Sequence, residues 1–293
     1  MDERSIAEKR QVRRAFNRAA GTYDQAAVLQ REVCGRMLSR LDYIRHQPAA
    51  ILDAGSGTGF GARRLAQRFP GATVVALDVA HAMLMRCRNG EPWWKRLLRR
   101  PERVLTVCGD VDALPVAGGW AGMVWSNLML QWCGDLSRTF AEVHRTLAPG
   151  GLFMFSTFGP DTLRELRAAF RAADGYTHVN RFIDMHDIGD MLVQAGFATP
   201  VTDMEFFTLT YAEPVAAMRD LKALGAHNVT AGRSRGLTGR AGWGRALARL
   251  EATRREGRLP VTFEVVYGHA WKAEPRRGPG GQPVIEIKPA GPR

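Results

Sequence analysis

Short apolar runs that close on a polar residue recur through the first half of the chain. They are Ile51-Leu52-Asp53, Thr73-Val74-Val75-Ala76-Leu77-Asp78, Val104-Leu105-Thr106-Val107-Cys108-Gly109-Asp110, Met123-Val124-Trp125-Ser126-Asn127 and Leu152-Phe153-Met154-Phe155-Ser156. Their length and their β-branched and aromatic content predict buried strands. A glycine-rich turn after the first run leads into a helix starting at about Phe60. Leu147-Ala148-Pro149-Gly150-Gly151 ends the helix before the fifth run, Pro and Gly being stop signals. Strands alternating with helices imply a parallel sheet with helices on both faces. Ahead of the sheet, a helix is predicted from about Gln25 to Leu41. Behind it come a helix from about Asp187 to Ala195 broken by Gly196, a sixth strand over Thr202–Tyr211, a helix over Pro214–Ala223 and a seventh strand over Pro260–Trp271. The expected class is α/β, with a seven-stranded, mostly parallel sheet.

The turn itself reads Asp53-Ala54-Gly55-Ser56-Gly57-Thr58-Gly59. Glycines there permit positive φ and let a ligand approach the backbone at a helix N-terminus. A dinucleotide site places its acid after the glycines and cradles a pyrophosphate. Here an acid also precedes them, and a carboxylate on the strand suits a cationic or amine-bearing ligand and repels phosphate. The form resembles motif I of class I S-adenosylmethionine-dependent methyltransferases, which implies a Rossmann-like sheet and S-adenosylmethionine as co-substrate. Asp78, at the end of the second strand, can accept both hydroxyls of a ribose or cap a helix. In this methyltransferase class an acid at Asp110 faces the adenine amino group with Val111 packed on the ring, although Asp110 can also cap a turn. Asn127 falls at the carboxyl end of the fourth strand, near the reacting methyl, or caps a helix. Arg145 reads as structural.

Composition bounds the rest. The chain has 293 residues, 45% of them hydrophobic, enough for one domain with elaborations. No stretch approaches the ~18 apolar residues that span a bilayer. The charged start lacks a signal-peptide core, and Asp2, Glu3 and Glu8 argue against a mitochondrial presequence. The expected location is the cytoplasm. Cys34, Cys87, Cys108 and Cys133 lack metal-ligand spacing and are expected to be reduced, buried thiols; no metal is expected. The net charge of +12 points to an anionic partner or to solubility. Part of it lies in the run from Arg86 to Arg103, where Trp93 and Trp94 are embedded; this is a candidate docking face, or a solvated helix with its tryptophans inward. The expected organisation is an N-terminal helical lid (about 1–45) and a methyltransferase domain (46–273). A helical substrate cap is inserted at about 160–183 and 213–257, and a Pro/Gly-rich disordered tail covers 274–293.

Several further segments resemble the malonyl-acyl-carrier-protein O-methyltransferases of biotin synthesis. They are Phe16 with Tyr23-Asp24, Trp125-Ser126-Asn127-Leu128 with Gln131-Trp132-Cys133, Ser156-Thr157-Phe158-Gly159, Arg181-Phe182 and Leu221-Lys222-Ala223-Leu224-Gly225-Ala226, spread over about residues 9 to 272. One departure is Ala121-Gly122, where the family usually shows Phe-Asp. The resemblance implies methylation of the free carboxylate of a malonyl thioester on acyl carrier protein, a small acidic partner, to begin the pimeloyl chain. A carboxylate is already ionised at neutral pH, so no general base is expected. A guanidinium can hold a carboxylate bidentately. Arg181 is the first candidate and Lys222 a weaker one, with Tyr23, Asn127, Gln131 and Trp132 lining the pocket. The same region also resembles a methyltransferase-like assembly factor of respiratory complex I associated with arginine hydroxylation. RNA methylation is suggested by charge alone, without a base pocket or RNA module; a non-catalytic scaffold is the remaining alternative.

Overall fold

The apolar runs assemble into one seven-stranded sheet of order β3-β2-β1-β4-β5-β7-β6. The strands are β1 (Ala50–Ala54), β2 (Thr73–Asp78), β3 (Val104–Cys108), β4 (Ala121–Asn127), β5 (Leu147–Phe158), β6 (Phe197–Tyr211) and β7 (Leu259–Lys272). The structure is a computed structural model that describes residues 9–89, 104–171, 180–224 and 239–274. Most of the basic run, Trp93 and Trp94, the Gly225-Ala226 end of the Leu221 motif and the tail beyond Glu274 lie outside the described residues. Strands β1 to β5 are parallel, and β7 runs antiparallel between β5 and β6. Ile51, Leu52, Val74, Met123, Val124 and Trp125 are buried, as strands covered on both faces require. One core layer gathers Met37, Leu65 and Trp125, the other Leu52, Phe140, Phe153 and Phe155.

The helices are α1 (Lys9–Ala19), α2 (Tyr23–Ala26), α3 (Val28–Arg40), α4 (Phe60–Arg68), α5 (His81–Asn89), α6 (Leu136–Thr146), α7 (Arg164–Arg171), α8 (Met185–Gln194), α9 (Pro214–Ala223) and α10 (Arg240–Glu251). The strand order reverses beside β1, which leaves a crevice at the carboxyl ends of β1, β2 and β4. Helices α1 and α2 lie over that crevice. Helices α7, α9 and α10 fall in the segments expected to form a cap, and Phe170 packs on Trp243 across α7 and α10. Among the described residues no helix is long and apolar enough to cross a membrane.

Four expectations need correction. The helix expected over Gln25–Leu41 is broken at Ala27 (φ −78°, ψ 43°) into α2 and α3, followed by a 3-10 turn over Leu41–Tyr43. The break lets Asp24 accept a 2.6 Å hydrogen bond from Thr58 Oγ1 and brings Tyr23 over the glycine loop. Strand β5 begins at Leu147, inside the expected stop signal, because the Pro-Gly-Gly stretch forms an irregularity in the pairing with β4 rather than a loop. Strand β6 starts at Phe197, and its opening is disguised by a register shift around Thr199 and Pro200. Finally, of the four thiols expected to be buried only Cys34 is; Cys87 and Cys133 are half-buried, and Cys108 is exposed because β3 is an edge strand. Arg145 is structural: its guanidinium donates to the carbonyls of Val116 and Leu114 and pairs with Glu142.

Candidate active site

The glycine loop is held by its neighbours before any ligand is considered. Gly55 (φ 80°) and Ser56 both donate their N–H groups to the carbonyl of Leu77, at 2.8 and 2.9 Å. A Cβ at Gly55 would lie 2.2 Å from Cγ of Met129, so only glycine lets that residue cross the loop. Gly59 (φ 81°) caps the start of α4, and a Cβ there would meet Cys87 Sγ at 2.2 Å. It lets α5 pack against the loop.

Asp78 organises the loop from the end of β2. Its Oδ2 accepts the N–H of Gly57 at 2.9 Å and its Oδ1 that of Ala80 at 2.7 Å. Each oxygen keeps acceptor capacity toward the crevice. Burial raises the pKa of Asp78 in spite of those hydrogen bonds. Asp53, at the end of β1, is 2% exposed, and its Oδ2 has no hydrogen-bond partner. Burial, with the charge of Asp78, pushes its pKa up to about 7, while the N–H of Ala62 pulls the other way. Burial with neighbouring Asp78 and Asp24 likewise raises the Tyr23 phenol.

Two cavities meet at Trp132. The first is a cleft of about 760 Å³ open to solvent, with Asp78 and Asp110 on one wall and Phe16, Tyr23 and Trp132 on the other. The rings of Phe16 and Trp132 are edge to face at 5.2 Å. A small recess beside it is lined by Asp53, Gln30, Tyr23 and Asn127. The second cavity, about 1170 Å³ with the solvent space at its opening, lies between α3, α9 and the β5–α7 segment; Leu29, Leu163, Leu166, Phe182, Leu221 and Phe263 make it largely apolar. Trp132 belongs to the walls of both cavities. Asn127, which lines the first cavity and the recess, is fixed on both sides of its amide: its Oδ1 accepts from Ser156 Oγ at 3.0 Å and its Nδ2 donates to the carbonyl of Gln30 at 3.0 Å.

A methyltransferase domain model matches residues 52–155, the stretch from β1 through β5. The malonyl-[acyl-carrier protein] O-methyltransferase of Nitrosospira multiformis is 60% identical over 92% of this chain and 91% of its own length. That of Laribacter hongkongensis is 56% identical over the whole of both chains. The chain belongs to the malonyl-[acyl-carrier protein] O-methyltransferases. Among solved structures, the YcgJ protein from Bacillus subtilis superposes with a TM-score of 0.57 at 16% identity, covering 83% of this chain and 99% of its own, and so shares the fold. The co-substrate of this methyltransferase is S-adenosylmethionine.

The methyltransferase brings most of its sequence-predicted site residues together. Tyr23, Gly55, Gly57, Asp78, Asp110, Val111, Asn127 and Trp132 line the first cavity. Asp53 lines the adjoining recess, and Gln131 the second cavity, where its Oε1 accepts from Thr157 Oγ1 at 3.2 Å. Gly59 lines neither, its role being the packing against Cys87. Arg181 and Lys222 also stand outside both cavities. Arg181 is exposed, and the chain turns its neighbours Asn180 and Phe182 to the cavity instead. On α9, Leu221 and Leu224 face inward at helical spacing, which leaves Lys222 on the exposed side. The sequence reading missed Lys9, Gln30, Asn180 and Asp220. None of them sits in a motif; a lone polar residue on a helix or loop carries no signal until the fold aims it. Among the described residues, no group of three or more His, Cys, Asp or Glu is placed to hold a metal.

Proposed function

We propose that this enzyme methylates the free carboxylate of malonyl-acyl carrier protein, giving the methyl ester that starts a pimeloyl chain. The observation that carries the reading is the shared Trp132 wall between a polar, acid-lined cleft and an apolar chamber. The name shared by the close relatives favours it over arginine hydroxylation and over RNA methylation.

The residues of the first cavity suit S-adenosylmethionine. Asp78 offers acceptors to ribose hydroxyls, Asp110 to the adenine amino group, and Val111 an apolar surface to the ring. The unpartnered Oδ2 of Asp53 suits the ammonium of the methionine end, and Gly55 and Gly57 add no side chains of their own beside it. Gly59 supports the loop from behind. When bound, the donor supplies a methyl group that leaves its sulphur without the C–S bonding pair, while a carboxylate lone pair makes the new O–C bond, so no proton is released. The protein therefore needs no general base, and its task is alignment. Alignment of this kind contributes on the order of 7–11 kcal/mol when complete. Tyr23, Asn127, Gln131 and Trp132 fix the meeting point of the cavities. Phe16 and Trp132 exclude water, which favours a step in which opposite charges disappear.

Arg181 and Lys222 act at the rim rather than as clamps. Arg181 lies close enough to Arg167 to lower that residue's pKa, although burial is the larger cause. The exposed Arg181 guanidinium, beside the lining residues Asn180 and Phe182, draws in an anionic acyl group. The net charge of +12 suits an acidic carrier, with the 86–103 run as its docking face, and we place the reaction in the cytoplasm. The domain limits follow the same reading: a lid over 1–45 and a cap in the 160–183 and 213–257 segments. The test is transfer of labelled methyl from S-adenosylmethionine to malonyl-carrier protein with acetyl-carrier protein as control. Labelling of the malonyl form alone supports the reading, and equal or absent labelling overturns it.

A further inference from the structure

The small recess beside the first cavity holds two opposite charges that do not meet. Asp53 and Arg31 both line it, with Tyr23, Gly55, Ser56 and Asn127 around them. Arg31 is half-buried in the opening turn of α3, where the helix dipole disfavours a cation, so helix stability does not explain its place. Among the described residues, its guanidinium makes one hydrogen bond, from Nη1 to the backbone carbonyl of Asp24, and pairs with no carboxylate. The Asp24 side chain is taken instead by Thr58 Oγ1, at 2.6 Å. These two tethers hold Arg31 to α2 and α2 to the glycine loop.

Burying charge is costly unless the charge is paired. Here the described chain supplies no anion, although a guanidinium carries five N–H donors in a fork that fits a carboxylate. A ligand that entered the recess with an ammonium alone would satisfy Asp53 and meet Arg31 as a like charge. A ligand with an ammonium and a carboxylate on one carbon satisfies both walls. The methionine end of S-adenosylmethionine is such a group.

We infer that Arg31 binds the α-carboxylate of the donor's methionine end while Asp53 takes its ammonium, so that the recess reads a zwitterion. This rests on the reading of the first cavity as the S-adenosylmethionine cleft. No bond is made or broken in the recess. Its effect is to anchor one end of the donor and so to help align the sulphonium with the acyl cavity.

The experiment is calorimetric binding of two donors, S-adenosylmethionine and its decarboxylated form, which lacks only that carboxylate. Wild type is compared with Arg31→Gln and Arg31→Lys, with thermal unfolding alongside. Wild type should bind the intact donor about 10- to 100-fold more tightly, the range of a hydrogen-bonded charge pair. Arg31→Gln should lose a similar factor for the intact donor and stay within about threefold for the decarboxylated one, so that the preference collapses. Arg31→Lys, which keeps the charge without the planar fork, should hold an intermediate preference. Equal binding of the two donors by wild type would overturn the inference, and that comparison needs no variant to fold. Equal weakening of both donors in Arg31→Gln would also overturn it, since it marks a structural role through the Asp24 carbonyl. A wild-type protein that binds neither S-adenosylmethionine nor S-adenosylhomocysteine would instead defeat the reading of the cleft itself.

Discussion

The ammonium of Lys9 reaches both carboxylate oxygens of Asp110, at 2.9 and 2.7 Å, and pairs with Asp112 as well. It ties the first turn of α1 to the loop after β3, at the first cavity, which Lys9 itself lines. On the proposed reading, an adenine amino group shares Asp110 with this ammonium. The pair is half exposed and so is worth no more than about 1 kcal/mol. Lys9→Met is expected to raise the Kd for S-adenosylmethionine by up to about fivefold at low salt, the gap closing at high salt. Calorimetry at two ionic strengths checks it. Tighter binding in the variant would mean that Lys9 competes with the ligand rather than closing over it.

Gly55 and Met129 define the second expectation. Alanine at position 55 must take φ 80° and push its Cβ to within 2.2 Å of Met129 Cγ. Gly55→Ala is expected to cost on the order of 1–3 kcal/mol in stability and more than about tenfold in cofactor affinity. Met129→Ala in the same chain should recover part of the stability, since it removes the clash but not the φ strain. Denaturant unfolding of the single and double variants measures the coupling; strict additivity would show that the two residues do not touch.

Asp53 gives a pH dependence of definite sign. Its folded pKa of about 7 stands above the ordinary carboxylate value. The folded chain therefore keeps a proton that the unfolded chain has released. Its contribution to stability is complete below the ordinary carboxylate pKa, falls as pH rises toward 7, and is lost above. Asp78, raised in the same direction, adds to the slope, so the comparison is with Asp53→Asn. That variant should show a shallower decline. A cationic ligand favours the ionised carboxylate, so wild-type affinity for S-adenosylmethionine should rise over the same interval and that of Asp53→Asn should not. An identical pH profile in the two proteins would remove Asp53 from the cofactor's ammonium.

Arg181 separates steering from clamping. Exposed at the rim, it should affect capture more than chemistry. Arg181→Ala is expected to raise KM for malonyl-carrier protein several-fold, with kcat within about twofold and the effect fading with salt. A collapse of kcat at unchanged KM would restore the buried clamp.

What the sequence made legible was local. Asp53, Asp78 and Asn127 stand at the carboxyl ends of β1, β2 and β4, where a parallel sheet opens its crevice, and the glycine loop follows β1 within a few residues. Asp110 follows the same rule, yet its partner Lys9 lies 101 positions away, and nothing near either residue announces the other. The second cavity was harder still. Gln30, Asn180 and Asp220 converge on it from a helix, a loop and a second helix, so only tertiary packing brings them together. Arg181 stands outside the second cavity for a related reason: its neighbours Asn180 and Phe182 line it and leave Arg181 exposed. The early start of β6 was concealed by Pro200, a residue that argues against a strand until a register shift accommodates it.

The most direct measurement is the intact mass of malonyl-carrier protein after incubation with the enzyme and S-adenosylmethionine. The expected result is a gain of one CH₂, removed by ester hydrolysis. An unchanged carrier mass while the enzyme demonstrably binds S-adenosylmethionine would contradict methyl transfer to the malonyl carboxylate.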